Sequence, residues 1–152
     1  MNKSPLNYLI VIALGAILWV VTAVFIGGTF SESLMLAVST PEEFLYNLRI
    51  ILGIATFFGI TNCIYWFYYG NLVSTAGNLS GAKKVWWASF VIQVLISIGL
   101  LLVLVYMNLA DGILTTDWLI IFLLISLLTW IFFWFCTFIM SPRTVKFIPL
   151  FK

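Results

Sequence analysis

Four long stretches of mostly apolar residues run through this chain, over about 8–27, 41–70, 85–108 and 117–140. A helix of about 20 apolar residues crosses the roughly 30 Å hydrocarbon layer of a membrane. The alternating pattern of a membrane β-barrel is absent, and open strands would leave backbone groups unpaired in lipid. The first stretch follows Met1, Asn2 and Lys3 as in a signal peptide, but it is longer than that apolar region usually is, so we expect a retained helix. The sequence therefore predicts an all-α integral membrane protein with four transmembrane helices, which form a single domain over residues 1–152.

The composition agrees and limits the chemistry. Only 8% of the 152 residues are charged and 64% are hydrophobic, whereas a soluble domain carries roughly 25% charged residues. The chain has no histidine, which excludes haem and zinc sites built on imidazole. The two cysteines, Cys63 and Cys136, both lie in apolar stretches at a similar depth, where we expect inert packing thiols. We predict no catalytic residue, no metal and no cofactor.

The second helix has the clearest start signal. Thr40, Pro41 and Glu43 supply an N-cap hydroxyl, a proline at the first helical position and a glutamate at the capping-box position. A helical wheel then separates a polar arc from an apolar one, with Glu42, Glu43, Tyr46 and Arg49 in the first and Phe44, Leu45, Leu48, Ile51 and Leu52 in the second. We predict that this helix is the longest of the four. It should begin at the outer headgroups and enter the membrane near Ile50.

Short polar segments separate the apolar stretches. Small polar residues over 70–82 predict a loop, and Asp111-Gly112 predicts a turn in the connection over 108–117. The chain ends in a basic tail over 141–152 that also carries large apolar residues.

The charged residues predict the orientation. Six of the seven Lys and Arg residues fall on one side of a four-span arrangement and only Arg49 on the other, while all five acids lie opposite the basic side. Because short cytoplasmic loops are enriched in Lys and Arg, we expect four antiparallel helices with both termini cytoplasmic, in a bacterial inner membrane. We also expect a basic anchor on the anionic inner leaflet or on a cytoplasmic partner, made of Lys83, Lys84, Arg143, Lys146 and Lys152.

Tryptophan and tyrosine gather near the cytoplasmic ends of the predicted helices. This is typical of an interfacial belt, in which the rings lie at the level of the headgroups. A pocket for a lipid or a quinone is the alternative. The residues concerned are Tyr65, Trp66, Tyr68, Tyr69, Trp86, Trp87, Trp130 and Trp134.

Two stripes at four-residue spacing mark helix faces that we expect to meet protein. Ser89, Gln93 and Ser97 form a polar stripe on the third helix, and Asn62 is a further polar residue on the second. Hydrogen bonds between helices explain these residues more simply than a substrate path does. Small side chains that allow close helix approach form the other stripe, on the second helix: Ala55, Gly59 and Cys63.

The lack of ionisable groups inside the spans weakens proton-coupled transport and intramembrane catalysis. The sequence therefore favours a non-enzymatic structural or assembly subunit of a multiprotein membrane complex, such as an envelope secretion or motility machine. Its expected partners are membrane lipids and other membrane subunits, as a hetero- or homo-oligomer, and not nucleic acid. The alternative is a small homo-oligomeric transporter or lipid-handling protein, which requires a cavity that reaches Gln93 or Asn62.

Overall fold

The computed structural model describes residues 5–34, 40–76, 79–108 and 115–140, and within these ranges it contains helices and no strand. The first helical stretch consists of α1 (Pro5–Phe25), a first π-helical segment (Ile26–Phe30) and α2 (Ser31–Leu34). Two uninterrupted helices follow, α3 (Pro41–Ala76) and α4 (Leu79–Met107). The last stretch consists of α5 (Thr115–Ser126), a second π-helical segment (Leu127–Ile131) and α6 (Phe132–Met140).

Each of these four stretches contains a part that is long and apolar enough to cross a membrane. These parts are the first span (Leu6–Gly28), the second (Pro41–Tyr69), the third (Ser80–Met107) and the fourth (Thr115–Phe138). The predicted all-helical fold with four spans is confirmed, and the chain is a multi-pass membrane protein by the length and composition of its helices.

The second helix is the longest, as predicted, because α3 has 36 residues. The loop predicted over 70–82 is wrong in its extent, since α3 continues to Ala76 and α4 begins at Leu79. Small polar residues have modest helix propensity, but no proline interrupts this segment. Once a long apolar helix has formed, each residue added at its end gains one backbone hydrogen bond without a new nucleation cost. Both helices therefore extend through the polar sequence.

The second and fourth spans form the centre of the bundle. Their apolar windows are each 44% buried inside the protein, against 22% for the first and third spans. α3 packs against α1, α4, α6 and the second π-helical segment, whereas α1 packs mainly on α3. The chain therefore has two well-covered spans and two spans that leave most of their surface open.

Two groups of buried residues fill the interior. One lies around the beginning of α3 and includes Ile26, Leu48, Leu104 and Ile121. The other lies towards the end of α3 and is largely aromatic, with Trp66, Trp86 and Phe133. Close packing of large rings at one end and aliphatic side chains at the other fixes how the helices meet.

The beginning of α3 follows the two arcs expected from the sequence. All five residues of the apolar arc are buried and all four of the polar arc are exposed. The helix starts with a hydrogen bond from the Phe44 amide to the Thr40 carbonyl, 3.1 Å. The Phe44 ring contacts Trp118 edge-to-face, with ring centroids 6.3 Å apart. This first part of α3 is thus packed into the bundle.

Candidate functional site

The small-residue stripe of the second span faces the fourth span. A Cβ atom on Gly59 would overlap the carbonyl oxygen of Leu128, which belongs to the second π-helical segment, and would lie 3.3 Å from the Phe132 ring. Ala55 and Cys63, one turn to either side, are fully buried. The stripe therefore allows the backbones of α3 and the fourth span to approach within the protein itself.

The two cysteines meet at this interface. Cys63 and Cys136 are both buried free thiols, and their side chains interact with each other. Sequence position placed them at a similar depth, and the structure shows that they are neighbours on the second and fourth spans. In this setting they pack as small apolar side chains.

The first span approaches the second at a glycine that the sequence analysis did not select. A Cβ atom on Gly15 would lie 2.6 Å from both Cγ1 and Cδ1 of Ile60. Tyr8 contacts Phe67 edge-to-face nearby, with ring centroids 6.4 Å apart. The sequence offers one signal for this contact. Glycine lowers the stability of a helix, so a glycine in the middle of an apolar helix indicates a place where close packing requires it.

The polar stripe of the third span points into the bundle. Ser89, Gln93 and Ser97 are all buried. The Ser97 hydroxyl donates to the Val94 carbonyl of its own helix, 2.8 Å, so it adds no bond between helices. In contrast, Gln93 Oε1 is buried without a hydrogen-bond partner in the described residues.

Three more buried polar atoms share this property within the described ranges: Asn62 Nδ2, Ser126 Oγ and Trp130 Nε1. Ser126 is fully buried immediately before the second π-helical segment, and sequence reasoning did not select it. Its position on one face of an apolar helix carried no periodic signal. The Trp130 ring contacts Phe90 edge-to-face, with centroids 5.8 Å apart.

Most buried hydroxyls bond to their own helix. Thr56 and Thr129 each donate to the carbonyl four residues earlier, at 2.8 Å. Thr137 makes a second bond, to another helix: its hydroxyl oxygen accepts a hydrogen bond from Trp86 Nε1 at 3.1 Å while donating to the Trp134 carbonyl at 2.9 Å. This bond joins the third and fourth spans within a buried aromatic cluster.

The expected interfacial belt needs a correction. Trp66 and Trp86 are fully buried in the bundle, so they belong to its core and not to a surface belt. Trp86 stacks on Phe90 and on Phe133, with centroids 5.3 and 5.8 Å apart. Tyr65 and Tyr68 do remain exposed. A residue's place near a helix end does not distinguish the side that faces lipid from the side that faces protein, because both are apolar.

Two apolar grooves open on the surface of the fourth span. One, of about 330 Å³, lies between the third and fourth spans and is lined by Trp86, Phe90, Trp130, Ile131 and Trp134. The other, of about 340 Å³, lies between the first and fourth spans and is lined by Leu14, Ile17, Leu18, Val21, Leu127, Ile131, Phe132, Trp134 and Phe135. Gln93 and Asn62 line neither groove.

The charged candidates lie on the surface. Glu42, Glu43, Tyr46 and Arg49 are exposed at the beginning of α3, and Arg49 Nη2 lies 3.6 Å from the position of a Cβ atom on Gly27. Lys83 and Lys84 are exposed near the beginning of α4. The other three members of the predicted basic anchor, Arg143, Lys146 and Lys152, lie outside the described residues.

The described residues contain no group of three or more His, Cys, Asp or Glu side chains placed to hold a metal ion. Comparisons with protein families, with characterised proteins and with solved structures find no match to this chain.

Proposed function

We propose that this protein is a non-enzymatic structural subunit of a multiprotein membrane complex, for example an envelope secretion or motility machine. In this proposal its four spans are antiparallel, both termini are cytoplasmic, and the membrane is a bacterial inner membrane. The subunit binds its partners through the helix faces that its own bundle leaves open.

Contacts between helices support the antiparallel arrangement. Along α1, Tyr8, Gly15 and Trp19 contact α3 at residues whose numbers fall as those of α1 rise: Phe67, Ile60 and Gly53. The third and fourth spans pair in the same way, since Trp86 contacts Thr137 and Phe90 contacts Trp130.

The distribution of charge supports cytoplasmic termini. Lys83 and Lys84 are exposed at the start of the third span, whereas Glu42 and Glu43 are exposed at the start of the second. Cations near span ends favour the cytoplasmic side. With antiparallel spans, this supports a cytoplasmic location for both the beginning of the first span and the end of the fourth.

One observation carries the assembly proposal: on the outward face of the third span, no other helix of the described bundle packs against Gly99. In the described part of the chain, no side chain or neighbouring helix comes within 4 Å of the position of a Cβ atom on Gly99. Its neighbours one turn away, Leu95, Leu102 and Val103, are all exposed. Glycine in a helix interior costs about 1 kcal/mol relative to alanine, and no contact within this part of the chain offsets that cost. Small residues of this kind are typical of faces where another transmembrane helix approaches closely.

The test is purification of the tagged protein from its native membrane by gentle detergent extraction, followed by mass spectrometry. We expect stoichiometric partner subunits with the wild type and their loss with Gly99→Leu. Ala13→Leu is the matched control, because it adds the same kind of side chain on the exposed surface of the first span. A wild-type protein that purifies alone would contradict the proposal, and so would equal recovery of partners with both variants.

A second candidate is a lipid-handling protein that uses the groove between the first and fourth spans, and not the expected cavity at Gln93 or Asn62, which line neither groove. All side chains that line this groove are hydrocarbon or aromatic, and they lie in the middle of the first span and in the second half of the fourth. Such a groove suits an acyl chain. Ile17→Trp would fill it, and reduced lipid co-purification with unchanged partner recovery would support this candidate over the first.

A further inference from the structure

The groove between the third and fourth spans is small and almost entirely aromatic. Four rings and one isoleucine line it: Trp86, Phe90, Trp130, Ile131 and Trp134. Trp86 and Phe90 are four residues apart on α4, so the groove extends along about one helical turn. A turn of helix about 5.4 Å long and 10 Å wide occupies about 420 Å³. The groove holds about 330 Å³, so it is too small for a transmembrane helix and suits a narrower apolar group.

A positive charge lies just beyond one end of this groove. Lys83 precedes Trp86 by three residues and Phe90 by seven on the same uninterrupted helix, so the three share one helix face. Lys83 is exposed. Along the helix it lies about 5 Å from Trp86 and about 10 Å from Phe90. A lysine in such a place packs its apolar stem along the protein and keeps its ammonium group at the polar boundary.

The charge at this end of the groove is positive. The sequence contains no Asp or Glu between Glu43 and Asp111, and none after Asp117. Trp86 donates a hydrogen bond to Thr137, so this end of the groove lies beside the end of the fourth span. An anion that reaches Lys83 therefore meets no carboxylate of the third span or of the end of the fourth.

We propose that this groove binds one acyl chain of an anionic phospholipid, whose phosphate group pairs with Lys83. The headgroup layer on each side of the hydrocarbon is about 5–8 Å thick. The step of about 5 Å from Lys83 to Trp86 matches that layer, so a phosphate at Lys83 puts the start of the acyl chain at the start of the groove. Anionic lipids are attracted to basic residues next to a span, and this favours them over zwitterionic lipids.

This site differs from the groove between the first and fourth spans. Those two spans carry no charged residue between Lys3 and Glu32 or between Asp117 and Arg143. That groove therefore offers apolar surface without a neighbouring cation of its own spans. The phospholipid site also does not rest on the assembly proposal, because a lipid and not a protein fills it.

The first test measures which lipid the protein retains. The purified protein is reconstituted into vesicles of equal parts phosphatidylglycerol and phosphatidylcholine with identical acyl chains, extracted in mild detergent, and its bound lipid is quantified by mass spectrometry. We expect the wild type to prefer phosphatidylglycerol. Lys83→Gln should reduce this preference about five-fold, which is the roughly 1 kcal/mol of one cation near the headgroups converted at about 1.4 kcal/mol per factor of ten.

Two control variants separate this site from general attraction and from the other groove. Lys84→Gln removes the same charge at nearly the same depth, but that side chain leaves the helix about 100° from Lys83. Ile17→Trp fills the groove between the first and fourth spans. Both variants should keep the wild-type preference. A wild type without preference, equal losses with Lys83→Gln and Lys84→Gln, or a loss with Ile17→Trp would each overturn the proposal.

The second test locates the acyl chain. Trp130 lines this groove and not the other, and its Nε1 has no hydrogen-bond partner among the described residues. Trp130→Phe therefore removes a fluorophore from the groove without breaking a hydrogen bond of this part of the chain. We expect phosphatidylglycerol brominated on its acyl chains to quench the wild-type tryptophan fluorescence more than brominated phosphatidylcholine does, and this difference should shrink in Trp130→Phe.

Trp19→Phe is the control for the quenching experiment, since Trp19 lies on the first span and lines neither groove. It should keep the difference between the two brominated lipids. A difference that is unchanged in Trp130→Phe, or one that is lost equally in Trp19→Phe, would overturn the placement of the acyl chain in this groove.

Discussion

The Cα of Gly59 packs directly on the carbonyl oxygen of Leu128, so closely that a Cβ atom at this position would overlap that oxygen. The contact joins the two central spans at the segment where the fourth span widens into a π-helical turn. Both partners are backbone, so neither can move aside by changing a rotamer. The spacing of these two spans therefore depends on the absence of a side chain at residue 59.

We expect Gly59→Ala to destabilise the protein by about 1–3 kcal/mol, the usual cost of overpacking a rigid site. Denaturation in mixed detergent micelles would measure this loss. Gly99→Ala is the matched control, because its Cβ atom would enter open space and should be neutral or stabilising by up to about 1 kcal/mol. Equal stability of the two variants would contradict the close approach at Gly59.

The approach of the first span to the second at Gly15 should respond differently. A Cβ atom there meets Cγ1 and Cδ1 of the Ile60 side chain and not backbone, so the neighbour can move. Gly15→Ala alone should cost less than Gly59→Ala. Ile60→Ala removes both clashing atoms and leaves a space that the new methyl group partly fills, so the Gly15→Ala/Ile60→Ala double variant should be more stable than the sum of the single losses implies. Strict additivity in the same denaturation assay would argue against this contact.

The hydrogen bond from Trp86 Nε1 to Thr137 Oγ1, 3.1 Å long, offers a test of the contact between the third and fourth spans. Thr137→Val keeps the shape of the side chain and removes the acceptor. We expect a loss of about 0.6–1.7 kcal/mol, from the average to the largest value measured for hydrogen bonds between membrane helices. Thr129→Val is the control, since the bonds of that hydroxyl run to carbonyls of its own helix. In a Trp86→Phe background the donor is gone, so Thr137→Val should cause no further loss there. A loss that persists in that background would exclude this bond as its cause.

Several features of this bundle follow from sequence alone, for clear physical reasons. Apolar length predicts the four spans, because the hydrocarbon thickness sets the number of residues that must be apolar. Burial at the start of α3 follows the helical wheel, because Glu42 and Arg49 lie on the arc opposite Phe44 and Leu48. There the contrast between polar and apolar faces is present in the sequence.

Within the membrane spans, the sequence shows no such contrast between polar and apolar helix faces. Trp66 and Trp86 are fully buried while Tyr65 and Tyr68 are exposed, although all four are aromatic and near span ends. Lipid and protein interior are equally apolar, so hydrophobic periodicity does not assign helix faces in a membrane. Ser126 and Gly15 could not be selected from the sequence for the same reason, since their roles depend on which neighbour packs opposite them.

The proposed topology makes a prediction that needs no partner. In a background with Cys63→Ala and Cys136→Ala, single cysteines can be introduced at two exposed positions at opposite ends of the described bundle, Ser80 and Thr115. With both termini cytoplasmic, Thr115→Cys should react with a membrane-impermeant maleimide in intact cells. Ser80→Cys should react only after the membrane is opened, because the positive-inside rule puts the neighbouring Lys83 and Lys84 in the cytoplasm. Labelling of Ser80→Cys alone in intact cells would reverse the orientation, and labelling of both would contradict the antiparallel arrangement of the third and fourth spans.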